Sequence, residues 1–240
     1  MFKFRYLIVI AIVGLSVFPV STTFANAASV FHSCDAHGQK ELGPFIVQNN
    51  AWSGDHGPQC ITASSYHRWH VVSTQPGTTS VKTYPSVTSG YYRDGEIPYR
   101  SLTALRSVYN ESMPARNRNY IAEAAYDIWL NNWNIEVMAW TDNHGQVPAG
   151  NPVHTYRVYG IKWTLWIGDC GQPCYSFVRH VNKPHGMVHI LSLLRILVAR
   201  GNIRSSATVT DVQSGWEICS TSGRPLTFTI HNYSLYTERR

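Results

Sequence analysis

Residues 134–140 read NIEVMAW, and the stretch alternates between two kinds of side chain. Successive side chains of a β-strand point to opposite faces, so the apolar residues at 135, 137 and 139 share one face. Glu136, Met138 and Trp140 share the other face. Solvent-facing strands are usually rich in lysine and threonine, whereas this carboxyl group has apolar and aromatic neighbours. The stretch therefore predicts a strand that buries one face and carries an acid on a partly desolvated second face.

The same period of two recurs from residue 45 to residue 236, in short segments separated by clusters of Gly, Pro, Asn and Ser. Many short strands between turn signals favour a β-sandwich or jelly roll over a parallel α/β fold. The predicted strands include 46–50, 66–72, 126–130, 135–140, 158–167 and 226–236.

One segment has a helical period instead. Residues 186–200 place Val188, Leu191, Leu194, Leu197 and Val198 at helical spacing, and a glycine follows at position 201. This pattern predicts a single amphipathic helix packed against one sheet, ended by a glycine stop.

Two further segments carry acids on comparable strand faces. Residues 125–129, AYDIW, place Asp127 and Trp129 on one face. Residues 212–218, VQSGWEI, place Gln213, Gly215 and Glu217 together, and a glycine at 215 leaves room for a close approach. A lone strand acid is usually a solvated surface residue. Three acids beside Trp and Met, in a chain with only 14% charged residues, favour a functional cleft instead.

Paired carboxyl groups on a cleft wall are typical of glycoside hydrolysis. Two carboxyl groups about 5–5.5 Å apart serve a retaining glycosidase, one as the nucleophile and the other as the acid and then the base. The segments NNAW at 49–52, QC at 59–60, AYDIW, EVMAW at 136–140 and GWEI at 215–218 resemble glycoside hydrolase family 12, as do Phe228 and NYS at 232–234. They occur in the order of that family over nearly the whole chain after residue 27.

The resemblance implies an all-β fold, namely a β-jelly roll sandwich of two curved antiparallel sheets with one packed α-helix and an open concave cleft. It also implies that Glu136 is the nucleophile and that Glu217 is the acid/base. Asp127 matches the acid that hydrogen-bonds the nucleophile.

The resemblance further assigns substrate-binding residues. Trp52 matches a tryptophan that stacks on a glucosyl ring, and Asn50 a polar contact near it. Met138 and Trp140 would line the cleft beside the nucleophile. Pro148 is kept in the 143–150 loop, although the composition of that loop differs from the family pattern, and it is grouped with the substrate-binding residues.

The implied activity is retaining hydrolysis of internal β-1,4-glucosidic bonds in cellulose-like or mixed-linkage β-glucans, without a cofactor or metal ion. Xyloglucan is the alternative substrate, because loop lengths decide whether a branched chain fits. A non-catalytic jelly-roll carbohydrate-binding protein is the alternative of another class, but it has no need for paired glutamates in a cleft.

Residues 1–27 have the pattern of a signal peptide. Lys3 and Arg5 precede the apolar run 6–20, and Ala-Asn-Ala at 25–27 offers a cleavage site. The run is shorter than the roughly 20 residues of a membrane-spanning helix, so cleavage is favoured over a membrane anchor. We therefore expect a secreted monomer with one catalytic domain at 28–240. The formal net charge of +6 comes from scattered residues, which gives no patch for nucleic acid.

The five cysteines all lie beyond residue 27. An exported chain meets an oxidising compartment, where disulfides form. Cys170 and Cys174 enclose a turn and predict a local bridge, while Cys34 and Cys60 would close a larger loop. Cys219 is then left over. Connectivity stays open at this level, with zinc as a competing explanation that no second cysteine pair supports.

Overall fold

The computed structural model describes residues 30–240. The predicted signal peptide lies outside these residues. The strands are β1 Phe31–Ser33, β2 Gln39–Leu42, β3 Phe45–Gln48, β4 Gln59–Ser65, β5 Arg68–Ser73, β6 Ser86–Thr88, β7 Ile97–Pro98, β8 Leu102–Ser112, β9 Ile121–Leu130, β10 Ile135–His144, β11 Asn151–Val158, β12 Ile161–Asp169, β13 Pro173–Arg179, β14 His185–Val188, β15 Thr208–Ser220 and β16 Leu226–Arg239. The helices are α1 Tyr91–Asp94 and α2 Ile190–Ala199.

These strands form two sheets, which confirms the jelly-roll prediction. The six-stranded sheet has the order β1-β4-β5-β16-β8-β14. The ten-stranded sheet has the order β11-β12-β13-β10-β9-β15-β6-β3-β2, with β7 paired to β15. The apolar faces of both sheets contribute to one core. Within residues 30–240, no helix combines the length and the apolarity that crossing a membrane requires.

The expectation of purely antiparallel sheets needs one correction. β10 and β13 pair in parallel, with Glu136 opposite Cys174 and Trp140 opposite Val178. The chain leaves β10 through the antiparallel β11–β12–β13 meander, so β13 returns in the direction of β10 and closes beside it. This pairing places the β12–β13 turn next to Glu136.

The predicted helix at 186–200 is shorter than expected, because its first part is a strand. Residues 185–188 form β14 and pair with β8, and Gly186 has φ +152°. The apolar spacing at Val188 reflects burial in this strand pair. The helix α2 then buries Leu191, Leu194 and Leu197 as expected. α1 is an additional single turn.

The predicted strand 158–167 corresponds to β12, but β12 begins only at Ile161 because a hairpin turn precedes it. Tyr159 and Gly160 both have positive φ, at 48° and 81°, and they reverse the chain between β11 and β12. Two consecutive positive φ values match the twist of a two-residue hairpin turn. The alternation runs through the turn unchanged, so the periodicity could not reveal it.

Cys34 and Cys60 form a disulfide, in agreement with the pairing considered from the sequence. The predicted Cys170–Cys174 bridge is wrong for this structure, in which both cysteines are free thiols, as is Cys219. Cys174 lies within β13, and Cys170 lies at the other end of the exposed turn that precedes that strand. Their side chains remain neighbours in the cleft.

The centre of the core is aromatic. Trp216 is completely buried, packs edge-on against Trp69 at 5.1 Å between ring centroids, and contacts Phe228 at 5.7 Å. Its Nε1 donates a hydrogen bond to Glu111 Oε2 at 3.3 Å. Trp216 therefore packs β15 of the ten-stranded sheet against β5, β8 and β16 of the six-stranded sheet.

We expect Trp216→Ala to lower the free energy of unfolding by about 3–5 kcal/mol, because the large cavity that it leaves cannot close. The matched control is Trp52→Ala, which removes a side chain that is 54% exposed and should change stability by less than about 0.5 kcal/mol. Urea unfolding of both variants checks this. Equal losses would contradict the assignment of Trp216 to the core.

Candidate active site

The central strands of the ten-stranded sheet bring the three predicted acids into one cleft. β9 lies between β10 and β15, with Met138 opposite Asp127 on one side and Gln213 opposite Asp127 on the other. Glu136, Asp127 and Glu217 all line a cleft of about 700 Å³. The other lining residues are Gln48, Asn50, Trp52, Val81, Tyr84, Trp129, Trp133, Met138, Trp140, Gln146, Val147, Ala149, Cys170, Gln172, Cys174 and Gln213.

Glu136 is 6% exposed, and its hydrogen-bond partner comes from the β12–β13 turn. Gln172 Nε2 donates to Glu136 Oε2 at 2.7 Å. Burial, and then the negative charge of Glu217, raise the pKa of Glu136 to about 7, while the hydrogen bonds from Gln172 and Cys174 act in the opposite direction. The Gln172 amide supplies the main support for the ionised form of this carboxyl group.

Asp127 lies close enough to Glu136 for their charges to interact, and no hydrogen bond between the two carboxyl groups is seen among the described residues. Its Oδ1 is buried without a hydrogen-bond partner. Burial, and then the charge of Glu136, raise the pKa of Asp127 well above its usual range. Two carboxyl groups share a hydrogen bond only when one is protonated, whereas the Gln172 amide donates in any state. Gln172 is the hydrogen-bond donor to Glu136 that the structure shows, and the predicted contact of Asp127 with Glu136 stays a prediction.

Glu217 faces a fourth carboxyl group that the sequence interpretation missed. Its cross-strand partner on β9 is Glu123, and both carboxyl oxygens of Glu123 are buried without a hydrogen-bond donor among the described residues. Burial raises the pKa of Glu217, and the neighbouring carboxyl group of Glu123 works against that rise. The period of two that grouped Asp127 with Trp129 also includes position 123, so the face of Glu123 was readable from the sequence.

These raised pKa values predict how stability depends on pH. A carboxyl group whose folded pKa exceeds its usual value of 4.5 binds its proton more tightly in the folded state, so its contribution to stability is lost as pH rises through the folded pKa. We expect Tm to fall by several degrees between pH 5 and pH 8. Glu136→Gln should reduce this dependence when both proteins are followed by circular dichroism, and an unchanged dependence would contradict the prediction.

Four predicted substrate-binding residues line the cleft. Trp52 is exposed at its rim, and Asn50 reaches Tyr84 O with its Nδ2 at 3.2 Å. Met138 and Trp140 are buried at its floor, where Trp140 Nε1 donates to Met138 Sδ at 3.5 Å. Met138 and Trp140 therefore shape the floor of the cleft but expose little side-chain surface to a ligand.

Pro148 does not line the cleft, and its assignment as a substrate contact needs correction. It is buried, whereas its neighbours Val147 and Ala149 line the cleft. The loop is pressed against β12 at this point, since a Cβ on Gly150 would lie 1.9 Å from Ile167 O.

Gly215 does permit a close approach, but by the protein backbone. A Cβ on residue 215 would lie 2.0 Å from Pro85 O. The glycine therefore lets the segment before β6 pack against β15, two residues before Glu217. The group that approaches Gly215 closely is therefore the backbone of residue 85.

One group in the cleft has ligands suited to a metal ion. Glu136, Cys170 and Cys174 offer a carboxylate oxygen and two sulfur atoms, all within 4.8 Å of one another. Two thiolates and a carboxylate suit a soft cation such as zinc. The sequence interpretation assigned no metal, and that assignment stays a prediction.

Comparison with known proteins agrees with this geometry. The family model described as Glycosyl hydrolase family 12 matches residues 43–238. A probable xyloglucan-specific endo-beta-1,4-glucanase A of Neosartorya fischeri is 26% identical over 235 residues, covering 90% of this chain and 95% of the relative. Endoglucanase S of Pectobacterium parmentieri is 26% identical, covering 75% and 78%.

A solved structure has the same fold. The xyloglucanase domain of NopAA, a type three effector from Sinorhizobium fredii, in complex with cellobiose, superimposes with a TM-score of 0.77 and 28% identity. The match covers 87% of this chain and 99% of that domain.

Proposed function

Because this chain belongs to glycosyl hydrolase family 12, we propose that it cuts β-1,4-glucan backbones at internal bonds by a retaining double displacement. The observation that carries the proposal is that Glu136 and Glu217 line one cleft and interact through their charges. Family membership makes the chain a glycoside hydrolase of the endoglucanase type, which removes the non-catalytic carbohydrate-binding alternative.

In the proposed first step, Glu136 attacks the anomeric carbon as a carboxylate while Glu217 gives its proton to the departing glycosidic oxygen. Water then attacks the same carbon, gives its proton to Glu217 and releases Glu136. The Gln172 hydrogen bond supports Glu136 as the ionised partner. Burial raises the pKa of Glu217, which suits this residue to hold a proton.

Xyloglucan is the substrate that we place first. The curated relative from N. fischeri and the S. fredii domain both carry xyloglucan in their names. Unbranched or mixed-linkage glucan is the second candidate, supported by the likeness to Endoglucanase S. The sequence interpretation had favoured the unbranched substrate, and the names of the relatives reverse that order.

Initial rates on xyloglucan, mixed-linkage β-glucan and carboxymethylcellulose, measured in parallel, test the proposal. Loss of viscosity that precedes most of the reducing-end release is expected for internal cleavage. The first product seen by proton NMR should be the β-anomer, as retention requires. Inactivity on all three glucans, or an α-anomer first, would contradict the proposal.

Trp52 should contribute to substrate affinity rather than to the chemical step. Its indole is 54% exposed at the rim of the cleft, where a sugar ring can stack on it. We expect Trp52→Ala to raise KM roughly tenfold, which corresponds to about 1.4 kcal/mol, with kcat nearly unchanged. Trp52→Phe serves as the control and should recover most of the affinity. A fall in kcat at constant KM would contradict this role.

We further propose that the chain is exported, loses residues 1–27 and acts as a soluble monomer. The charged start, the apolar run and the Cys34–Cys60 disulfide support export, because disulfides persist in oxidising compartments. N-terminal sequencing of the protein recovered from culture medium should begin near Ala28, and light scattering should give the mass of one chain. Retention of residues 1–27 would contradict the proposal.

A further inference from the structure

Glu123 is a buried carboxyl group that the proposed reaction does not yet use. It lies at the middle strand of the cleft, β9, and is 0% exposed. Its neighbours in register are Glu217 on β15 and Asn143 on β10. A glutamate so placed is costly to bury unless it is paired or neutral.

No N–H or hydroxyl group among the described residues donates to Glu123. Both of its carboxyl oxygens are buried without a donor partner. The amide of Asn143 is committed elsewhere, because its Nδ2 donates to Gln146 O at 2.8 Å. The carboxyl group of Glu217 is opposite Glu123 in the β9–β15 ladder, and its charge acts on Glu123 more strongly than that of any other group. A hydrogen bond between two carboxyl groups requires a proton on at least one of them.

The charged and titratable groups around the pair also favour a neutral Glu123. Four other titratable groups act on this pair or on its neighbours. They are Asp127 on β9, Glu136 on β10, Cys219 on β15 and Tyr84 in the segment before β6. Lys82 is a cation that acts on the neighbouring Cys219, and it is ion-paired with Asp55 at 3.0 Å. Burial, and then the charge of Glu217, raise the pKa of Glu123 well above its usual range.

We propose that Glu123 is a positioning residue that stays protonated and donates a hydrogen bond to the carboxylate of Glu217 whenever Glu217 has given up its proton. The proposal rests on the proposed function, in which Glu217 is the acid/base. A neutral carboxylic acid that donates to a charged oxygen is a known way of stabilising a buried anion.

The reaction cycle shows where this hydrogen bond acts. In the first step the proton of Glu217 moves to the departing glycosidic oxygen, and Glu217 becomes a buried anion. Glu123 keeps its own proton throughout and donates a charge-assisted hydrogen bond to that anion. In the second step Glu217 takes a proton from the attacking water. The hydrogen bond thus makes Glu217 a stronger acid than burial alone would allow.

Two variants separate this role from simple packing. Glu123→Gln keeps a neutral donor of the same shape, and Glu123→Met has a similar length but no donor. The readout is the alkaline limb of kcat/KM against pH, which reports loss of the proton from Glu217 in the free enzyme. We expect Glu123→Gln to keep that limb within about 0.3 pH units and the activity within about threefold. Glu123→Met should move the limb up by about one pH unit or more, since Glu217 holds its proton longer without the donor.

The leaving group provides a second readout. In Glu123→Met, activity on the polysaccharide should fall about tenfold or more. Activity on an aryl glycoside with a good leaving group, which needs little protonation, should fall much less. A folding defect would lower both activities alike, and circular dichroism with Tm monitors it directly. The proposal would be overturned if the alkaline limb of kcat/KM lay at the same pH in the wild type, Glu123→Gln and Glu123→Met. A downward shift in Glu123→Gln would also overturn it, because it would mean that Glu123 is ionised in the wild type.

Infrared spectroscopy tests the proton itself and does not depend on activity or on the folding of Glu123→Met. The spectrum of the wild type minus that of Glu123→Gln at neutral pH should contain the carbonyl stretch of a protonated carboxylic acid. Its absence would overturn the proposal. A wild type that hydrolyses no β-glucan would instead overturn the proposed function, and the infrared result would still decide the state of Glu123.

Discussion

Replacement of Glu136 by Gln is expected to lower kcat on soluble β-glucan by about 10⁴-fold or more while the protein stays folded. An amide cannot attack the anomeric carbon, although it has the shape of the carboxyl group. The carbonyl oxygen of the new amide can still accept a hydrogen bond from Gln172, so the β12–β13 turn should keep its position. A neutral amide also removes a buried acid whose pKa is raised to about 7. Tm at neutral pH should therefore not fall.

Rates on soluble glucan and a covalent trap together check this expectation. A fluorinated glycoside that slows the second step should leave a glycosyl adduct on Glu136 of the wild type, located by peptide mass spectrometry. Glu136→Gln should form no adduct. Glu238→Gln, the same change at an exposed glutamate of β16, is the control and should match the wild type. An adduct on another residue, or several per cent of wild-type activity in Glu136→Gln, would contradict the assignment.

Replacement of Glu217 by Ala should have the second largest effect, with a different signature. Polysaccharide hydrolysis should fall by about 10³-fold or more, because the departing sugar oxygen receives no proton. An aryl glycoside with a good leaving group should still form the glycosyl-enzyme, which then accumulates because no base activates water. Glu123 loses its partner in this variant and stays neutral.

Added azide separates the roles of the two glutamates. With Glu217→Ala, azide needs no base to attack the glycosyl-enzyme, so it should restore turnover and give a β-glycosyl azide. With Glu136→Ala, any azide product should be the α-anomer, since azide replaces the missing nucleophile. Cys219→Ala is the control, because it changes a side chain two residues from Glu217 that the proposed reaction does not use. An α-azide from Glu217→Ala would exchange the two assignments.

Side-chain alternation predicted well which acids share a face. Period two is a local property of an extended chain, so NIEVMAW and VQSGWEI indicated the faces of Glu136 and Glu217 before any fold was known. The same rule applied to the strand of Asp127 also covers Glu123. It could not indicate that Glu123 meets Glu217, because that contact depends on the register between β9 and β15.

Loops and strand ends account for most of the corrections. The hairpin at Tyr159 and Gly160 continues the alternation, and Val188 fits both a helical spacing and a buried strand. Gln172 lies in a turn, where no periodicity says what its side chain contacts. Pro148 was assigned by family resemblance, and its burial follows from the packing of its loop against β12.

Residue types at short spacing were enough to indicate the all-β class, the faces of the three acids and the resemblance to the family. The folded chain was needed to show that β13 returns parallel to β10, that Gln172 hydrogen-bonds Glu136, and that Glu123 lies opposite Glu217. These are contacts between segments distant in the chain. Strand order and register set the partners in these contacts. Side-chain alternation does not specify the register, because many other pairings of the same alternating strands would bury the same faces.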